Sequence, residues 1–328
     1  MNPALKFIIR RLLVMIPLLF AVTFASYVLI SVTPGNPLAM YVSQDQIRQL
    51  SPEQQAQKAE QLGLNDPIPT RYFRWLGGIL RGDLGTSFKT GQPVAKEIGQ
   101  RIGLTVSISA VTMALTYLMG VPLGIHCANH KDGALDSSIM IYAYASMSLP
   151  SFWLSILAIM LFAVKLHWLP GLGLSDLTLK NPTWYQELWD TVRHLLMPVG
   201  LTVLTSFASI ARDQRNVYLD VINQDYVRTA RAKGMPERRV NWGHAYRNAL
   251  LPLASSLGGC LAGLIGGSYI IETIFSIPGL GSYSTSAILN RDYPVIMATL
   301  LMSSILVMLG YLVSDILYCV VDPRIRVQ

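Results

Sequence analysis

Cysteine is scarce: Cys127, Cys260 and Cys319 are the only three in 328 residues. None falls in a stretch expected outside the cell, so no disulfide framework is expected and no redox chemistry is indicated. Charge is scarce too, at 14% Asp, Glu, Lys and Arg, which places the chain outside the usual soluble range. There is no G-x-x-x-x-G-K-[ST] phosphate loop, so any nucleotide that drives this protein is hydrolysed by another chain. G-x-S-x-G and H-E-x-x-H are also missing, and with them the chemistry of an intramembrane hydrolase. His126, Cys127 and His130 share a metal-like spacing. A closed zinc site needs about four ligands in fixed geometry, and a short turn through Lys131, Asp132 and Gly133 is the simpler expectation.

What is abundant is apolar: 52% of the residues are hydrophobic and the mean hydropathy is +0.40. The chain is an all-α polytopic membrane protein by composition. Apolar runs occur at 12–32, 104–125, 139–164, 196–210, 251–275 and 295–321, which predicts six transmembrane helices with both termini on one side. The first run follows Lys6, Arg10 and Arg11 and exceeds a signal-peptide core in length, so it reads as an uncleaved span. The net charge of +7 is distributed by topology. The stretches 1–11, 126–138, 211–250 and 322–328 hold 14 Lys and Arg against 7 Asp and Glu, and the positive-inside rule makes these cytoplasmic. Basic residues laid out in this way do not form a nucleic-acid surface.

The organisation that follows is an N-terminal transmembrane helix in 1–36, a small extracytoplasmic subdomain in 37–101, a membrane core in 102–321 and a cytoplasmic tail in 322–328. The subdomain carries a Gln- and Glu-rich run at 44–61 and the aromatic group Tyr72, Phe73 and Trp75. It serves either as a surface for an extracytoplasmic partner or as a lid over the core. No inverted repeat is visible, and six spans are few for a secondary carrier.

Between two apolar runs lies a basic island, DYVRTARAKGMPERRVNWGHAYRNALLP, from Asp225 to Pro252. Its punctuation predicts two short helices. Asp225 is the expected N-cap, accepting from the amide of Val227 or Arg228. Arg228, Thr229, Ala230, Arg231 and Lys233 then build a helix with its cations toward the negative end of the dipole. Gly234 stops it in the left-handed conformation, and Pro236 opens a second helix with Val240, His244 and Arg247 on one face. A solvated loop that only fixes orientation is the bland alternative.

Inside the spans, Gly259, Gly263 and Gly267 recur every four residues, one step after Ser255. That spacing suits close helix packing, within the chain or against a second membrane subunit. Glu272 is expected to reach the external interface, and Asp315 to pair with an arginine of the cytoplasmic loop. A membrane-centred carboxylate costs about 2.5–3.5 kcal/mol, so each needs a cavity or a partner.

These passages together resemble the permeases of ATP-binding-cassette importers, in the branch for dipeptides, oligopeptides and nickel. DYVRTARAKG followed by RNALLP carries the likeness, with TPGNP (33–37), RGDLGTS (81–87), SLPSFW (148–153), ETIFSIPGLG (272–281), RDYPV (291–295) and DPRIR (322–326) in the same order. The resemblance implies a type I importer fold in a bacterial inner membrane. It also implies a second homologous permease, two ATPase subunits that bind ATP and magnesium, an extracytoplasmic solute-binding protein, and no cofactor in this chain beyond its lipid surroundings. By the same resemblance, Arg228 to Gly234 matches the segment that enters a groove on the ATPase. Many other importers begin this motif with glutamate and two alanines. Here Arg228, Thr229 and Ala230 hold those places. Peptide is the expected cargo, with nickel, a metal chelate or glutathione as alternatives. An ATP-independent carrier or channel, and a non-transporting membrane scaffold, are the rivals of other classes.

Overall fold

A computed structural model describes residues 3–32, 36–176, 178, 181–250 and 268–321. The described helices, in chain order, are α1 (Pro3–Val32), α2 (Gln44–Gln49), α3 (Pro52–Gln61), α4 (Ile68–Leu80), α5 (Val94–Asn129), α6 (Ala134–Ser148), α7 (Ser151–Ala158), α8 (Trp184–Ile222), α9 (Asp225–Ala232), α10 (Glu237–Val240), α11 (Arg247–Ala249), α12 (Ser268–Ile274), α13 (Leu280–Asn290) and α14 (Tyr293–Val321). Among the described residues the only extended pairing is an isolated bridge between Thr86 and Pro93.

Among the described residues four segments are long and apolar enough to cross a membrane: Ile8–Val32, Val94–Asn129, Trp184–Ile222 and Tyr293–Ile316. The run at 139–164 departs from the expected single span. It is the bent pair α6 and Ser151–Lys165, 97° apart, and makes a fifth crossing if the pair is one span. The break falls at Leu149, whose extended backbone (φ −97°, ψ 127°) is the conformation a following proline imposes. The run at 196–210 belongs to a 39-residue helix, α8, which at 1.5 Å per residue is roughly 58 Å long and overshoots the bilayer core. Of the run at 251–275, residues 251–267 lie outside the described residues, and with them Ser255, Gly259, Gly263, Gly267 and the Leu251–Pro252 end of the island.

The chain divides into two compact units, Met1–Thr105 with Pro278–Leu309, and Val106–Ile277 with Gly310–Gln328. In the first, residues 36–64 fold around Leu38, Ala39, Val42, Ile47 and Leu64. Ser43 and Ser51 each close a capping box, with Gln46 and Gln54, so two orphan amides are satisfied at the start of α2 and of α3. Gln55 ties the group together. Its side-chain amide donates to the carbonyls of Ile47 and Leu50 at 3.0 and 3.1 Å and accepts from Asn36 at 2.8 Å.

The same unit joins two passages that are far apart in sequence. Asp292, in RDYPV, is buried and accepts from the Ser87 hydroxyl at 2.6 Å and from the amides of Phe88 and Lys89 at 3.1 and 3.3 Å, all next to or within RGDLGTS. Below this joint Val94, Ile98, Leu280, Ala287, Val295 and Ala298 form an apolar core. Asp292→Ala removes a charged acceptor from buried donors and is expected to cost about 1.5–3 kcal/mol locally. Hydrogen exchange should register this as faster exchange of the Phe88 and Lys89 amides, with the rest of α14 unchanged.

In the second unit α6 packs along α8, and α5 approaches α8 closely at Gly120 and Gly124. A Cβ on Gly120 would fall 2.7 Å from the Phe207 carbonyl oxygen, so only glycine fits there. Asp136, in the first turn of α6, is buried and receives two hydrogen bonds from the Arg215 guanidinium of α8, at 2.5 and 2.6 Å. The Asp132 amide adds a third at 2.9 Å. This ion pair fixes the α5–α6 turn to the part of α8 that leads into the basic island.

Candidate functional site

The island folds as a hairpin of helices at the end of α8. Asn223 closes α8, its side-chain amide donating to the Leu219 carbonyl at 2.8 Å. Gln224 is extended (φ −71°, ψ 151°) and is the N-cap of α9. Asp225, the expected cap, is therefore the first helical residue, and the cap lies one place earlier. The amides of Val227 and Arg228 bond to the Gln224 carbonyl at 3.0 and 3.1 Å. The Asp225 carboxylate stands in solvent, 3.7 Å from the Arg228 guanidinium, where it still complements the positive end of the helix.

The amphipathic pattern of α9 sets its orientation. Val227 and Ala230 turn inward and meet Val240 of α10, with Ile222 and Met235 packed around them. Ala230 is buried, so it supports the surface from beneath. Asp225, Arg228, Thr229, Arg231, Lys233 and Gly234 lie on the exposed side. Gly234 has φ +76°, the left-handed conformation that reverses the chain, and a Cβ there would meet nothing within 4 Å. Arg231 bonds through Nε to Glu237 Oε1 at 2.8 Å across this reversal, which makes it a clasp between α9 and α10 as well as a surface charge.

Pro236 serves as the N-cap of α10, with Glu237 as first helical residue. A wide turn with i→i+5 bonding follows over Asn241–Tyr246 before α11. The expected shared face of Val240, His244 and Arg247 rests on the side chains of His244 and Arg247, which lie outside the described ones. The wide turn and α11 are fastened to the membrane helices. Ala245 and Ala249 pack on Ala128 of α5 and Tyr218 of α8, and the buried Gln214 side chain of α8 donates to the Ala249 carbonyl at 3.1 Å. Burial pushes the Tyr226 phenol above its ordinary value, against a smaller opposing effect of its hydrogen bond with Asn248. A rigid, surface-presented element results. It offers cations at Arg228, Lys233, Arg238 and Arg239 and exposed aromatic surface at Tyr226 and Trp242.

The family model described as binding-protein-dependent transport system inner membrane component matches residues 120–327, which contain this hairpin and its supports. The chain belongs to this permease family. A companion model for the N-terminal part of such components matches residues 4–109. The permease is 38% identical to the oligopeptide transport system permease protein AppB of Bacillus subtilis, over 98% of this chain and 99% of that one. It is 37% identical to a putative peptide transport system permease protein of Brucella abortus, over 97% and 98%. With the di/tripeptide transport system permease protein DppB of Pseudomonas aeruginosa the identity is 36%, over 99% of both chains. The protein is thus an integral component of a bacterial inner membrane and works within a transport system.

The other residues singled out in the permease sequence do not join the hairpin. Glu272, expected at the external interface, is buried within the protein, at 0% exposed. Beyond α12 the chain folds back over it, the Ile277 amide bonding to the Glu272 carbonyl at 2.8 Å, Ser276 at φ +53° and the Gly173 amide on the Phe275 carbonyl at 2.8 Å. Asp315 is half-buried in α14. Four residues of the permease escaped the sequence reading. Asp136 and Arg215 lie 79 positions apart with no local signature, whereas Gly120 and Gly124 carry the same small-residue spacing that drew attention to Gly259, Gly263 and Gly267.

Proposed function

We propose that this permease forms half of the translocation pathway of an ATP-driven peptide importer, with a second homologous permease as the other half. Its six spans place both termini in the cytoplasm and residues 37–101 outside. Two ATPase subunits bind ATP and magnesium and engage the α9–α10 hairpin, while an extracytoplasmic solute-binding protein delivers the peptide. ATP binding closes the ATPases, the hairpin moves with them as a lever, and the spans alternate between inward- and outward-facing arrangements.

The observation that carries this reading is the hairpin itself, a basic and aromatic surface whose continuation through the wide turn and α11 is hydrogen-bonded to α8 at Gln214 and packed on α5 at Ala128. A lever must be stiff and joined to what it moves. A loop that only fixed orientation would need neither property. Peptide as cargo follows from the names of the relatives.

Reconstituting the permease with its partner subunits in proteoliposomes tests the proposal. Labelled di- and oligopeptides should accumulate only with internal or external ATP on the ATPase side and with the binding protein present. Uptake that needs no ATP would establish a carrier or channel, uptake of nickel or glutathione in place of peptide would redirect the cargo, and an assembled complex without uptake would leave a scaffold.

A further inference from the structure

We propose that α4 is an interfacial helix sunk into the outer leaflet of the bilayer, with Phe73 and Leu80 among the lipid acyl chains. The residues 37–101 would then form a subdomain partly immersed in the membrane and not one standing in water. The choice of leaflet rests on the orientation proposed above.

The helix divides into three arcs at 100° per residue. Ile68, Tyr72 and Trp75 face inward with Tyr27 of α1. Arg74, on a polar arc with Thr70, pairs with Asp66 at 2.7 Å and donates to the Leu62 carbonyl at 3.1 Å, so this side faces its own subdomain. The third arc is Pro69, Phe73 and Leu80, apolar and exposed, with Phe73 55% and Leu80 80% exposed; Leu76, at its edge, packs against the inner cluster.

Depth decides what covers that arc. The Tyr72 hydroxyl lies 2.8 Å from the Thr23 hydroxyl and 3.4 Å from the Phe20 carbonyl oxygen. Phe20 is the midpoint of the span Ile8–Val32, about 18 Å along the helix from either end. The ring of Phe73 sits 5.8 Å from that of Phe20, and Phe20 continues the exposed apolar face of α1 that includes Leu13 and Ile16. A soluble partner covering Phe73 would have to reach the level of a residue in the hydrocarbon. Acyl chains already stand there. Thr23 and Tyr72 are both buried and satisfy one another, as polar groups at this depth must. An exposed apolar arc beside a polar one whose charge is paired within the protein gives α4 one side suited to acyl chains.

The test uses the full chain in nanodiscs with Cys127, Cys260 and Cys319 replaced, and a nitroxide at Phe73→Cys, Leu80→Cys or Thr70→Cys. Collision with molecular oxygen should exceed collision with a nickel chelate at Phe73→Cys and Leu80→Cys, and the ratio should invert at Thr70→Cys. Leu80 touches little protein, so its variant remains informative if Phe73→Cys fails to fold. Dominant nickel-chelate collision at both positions would put the arc in water, and weak collision with both agents would put it under protein; either result overturns the proposal. An impermeant maleimide on cells carrying Thr70→Cys separates the orientation. Labelling from outside supports the outer leaflet. Labelling only after permeabilisation overturns the orientation and the outer leaflet together, while leaving the collision ratios to judge immersion.

Discussion

Gly234→Val is expected to lower ATP-driven uptake about tenfold or more while the permease still inserts and assembles in the membrane. Gly234 holds φ +76°, and its missing Cβ would point into open space, so no clash obstructs a larger residue. The cost is conformational: a left-handed β-branched residue is disfavoured by about 1–2 kcal/mol, enough to drive the reversal into another geometry. The α9–α10 angle is clasped by the Arg231–Glu237 pair and the small Val227–Ala230–Val240 core. Re-aiming α9 displaces Arg228 and Lys233 from the places proposed for them on the ATPase. A fall in uptake of about tenfold or more is the expected reading, since roughly 1.4 kcal/mol corresponds to that factor. Gly234→Asn, which tolerates the left-handed region, should keep most of the activity. Equal uptake by the valine variant and the natural protein would remove the hairpin from the mechanism.

Arg215→Ala carries the largest expected effect on stability. It strands the buried carboxylate of Asp136, which otherwise takes both guanidinium bonds and the Asp132 amide. Breaking a buried pair from one side costs about 3–5 kcal/mol, because an uncompensated charge is left in a poorly solvated place. The loss should appear as a lower thermal unfolding temperature in detergent or nanodiscs. The double variant Asp136→Asn with Arg215→Met should recover a large part of it, since neither partner then remains charged. Coupling should suffer too: Arg215 is one residue from Gln214, whose bond to the Ala249 carbonyl fastens the hairpin to α8.

Local rules carried a good deal of this architecture. Apolar runs and the Gly234 and Pro236 punctuation are each properties of a few neighbouring residues, and they gave the helical membrane class and the two-helix island. Errors of one residue arose at the helix starts, where Gln224 and not Asp225 is the cap of α9, and Pro236, expected as the first residue of the second helix, is its cap. The bend at Leu149 was written in the following proline. What the sequence reading missed is long-range. Nothing near Asp136 announces Arg215, nothing near Ser87 announces Asp292, and the burial of Glu272 depends on a return of the chain that brings Gly173 against Phe275. The aromatic group Tyr72, Phe73 and Trp75 was legible as a cluster, but its depth against Phe20 and Tyr27 was set by tertiary packing.

The claim that the α9–α10 hairpin is the contact with the ATPase is tested most directly by photo-crosslinking in the assembled transporter. A photoreactive residue is placed at Asp225, Arg228 or Thr229, all exposed, and at the buried Val227 as control. The account predicts an adduct with an ATPase subunit from the three exposed positions, changing in yield between nucleotide-free and ATP-bound states, and none from Val227. Adducts only with lipid or with the second permease, or a yield indifferent to nucleotide, would contradict it.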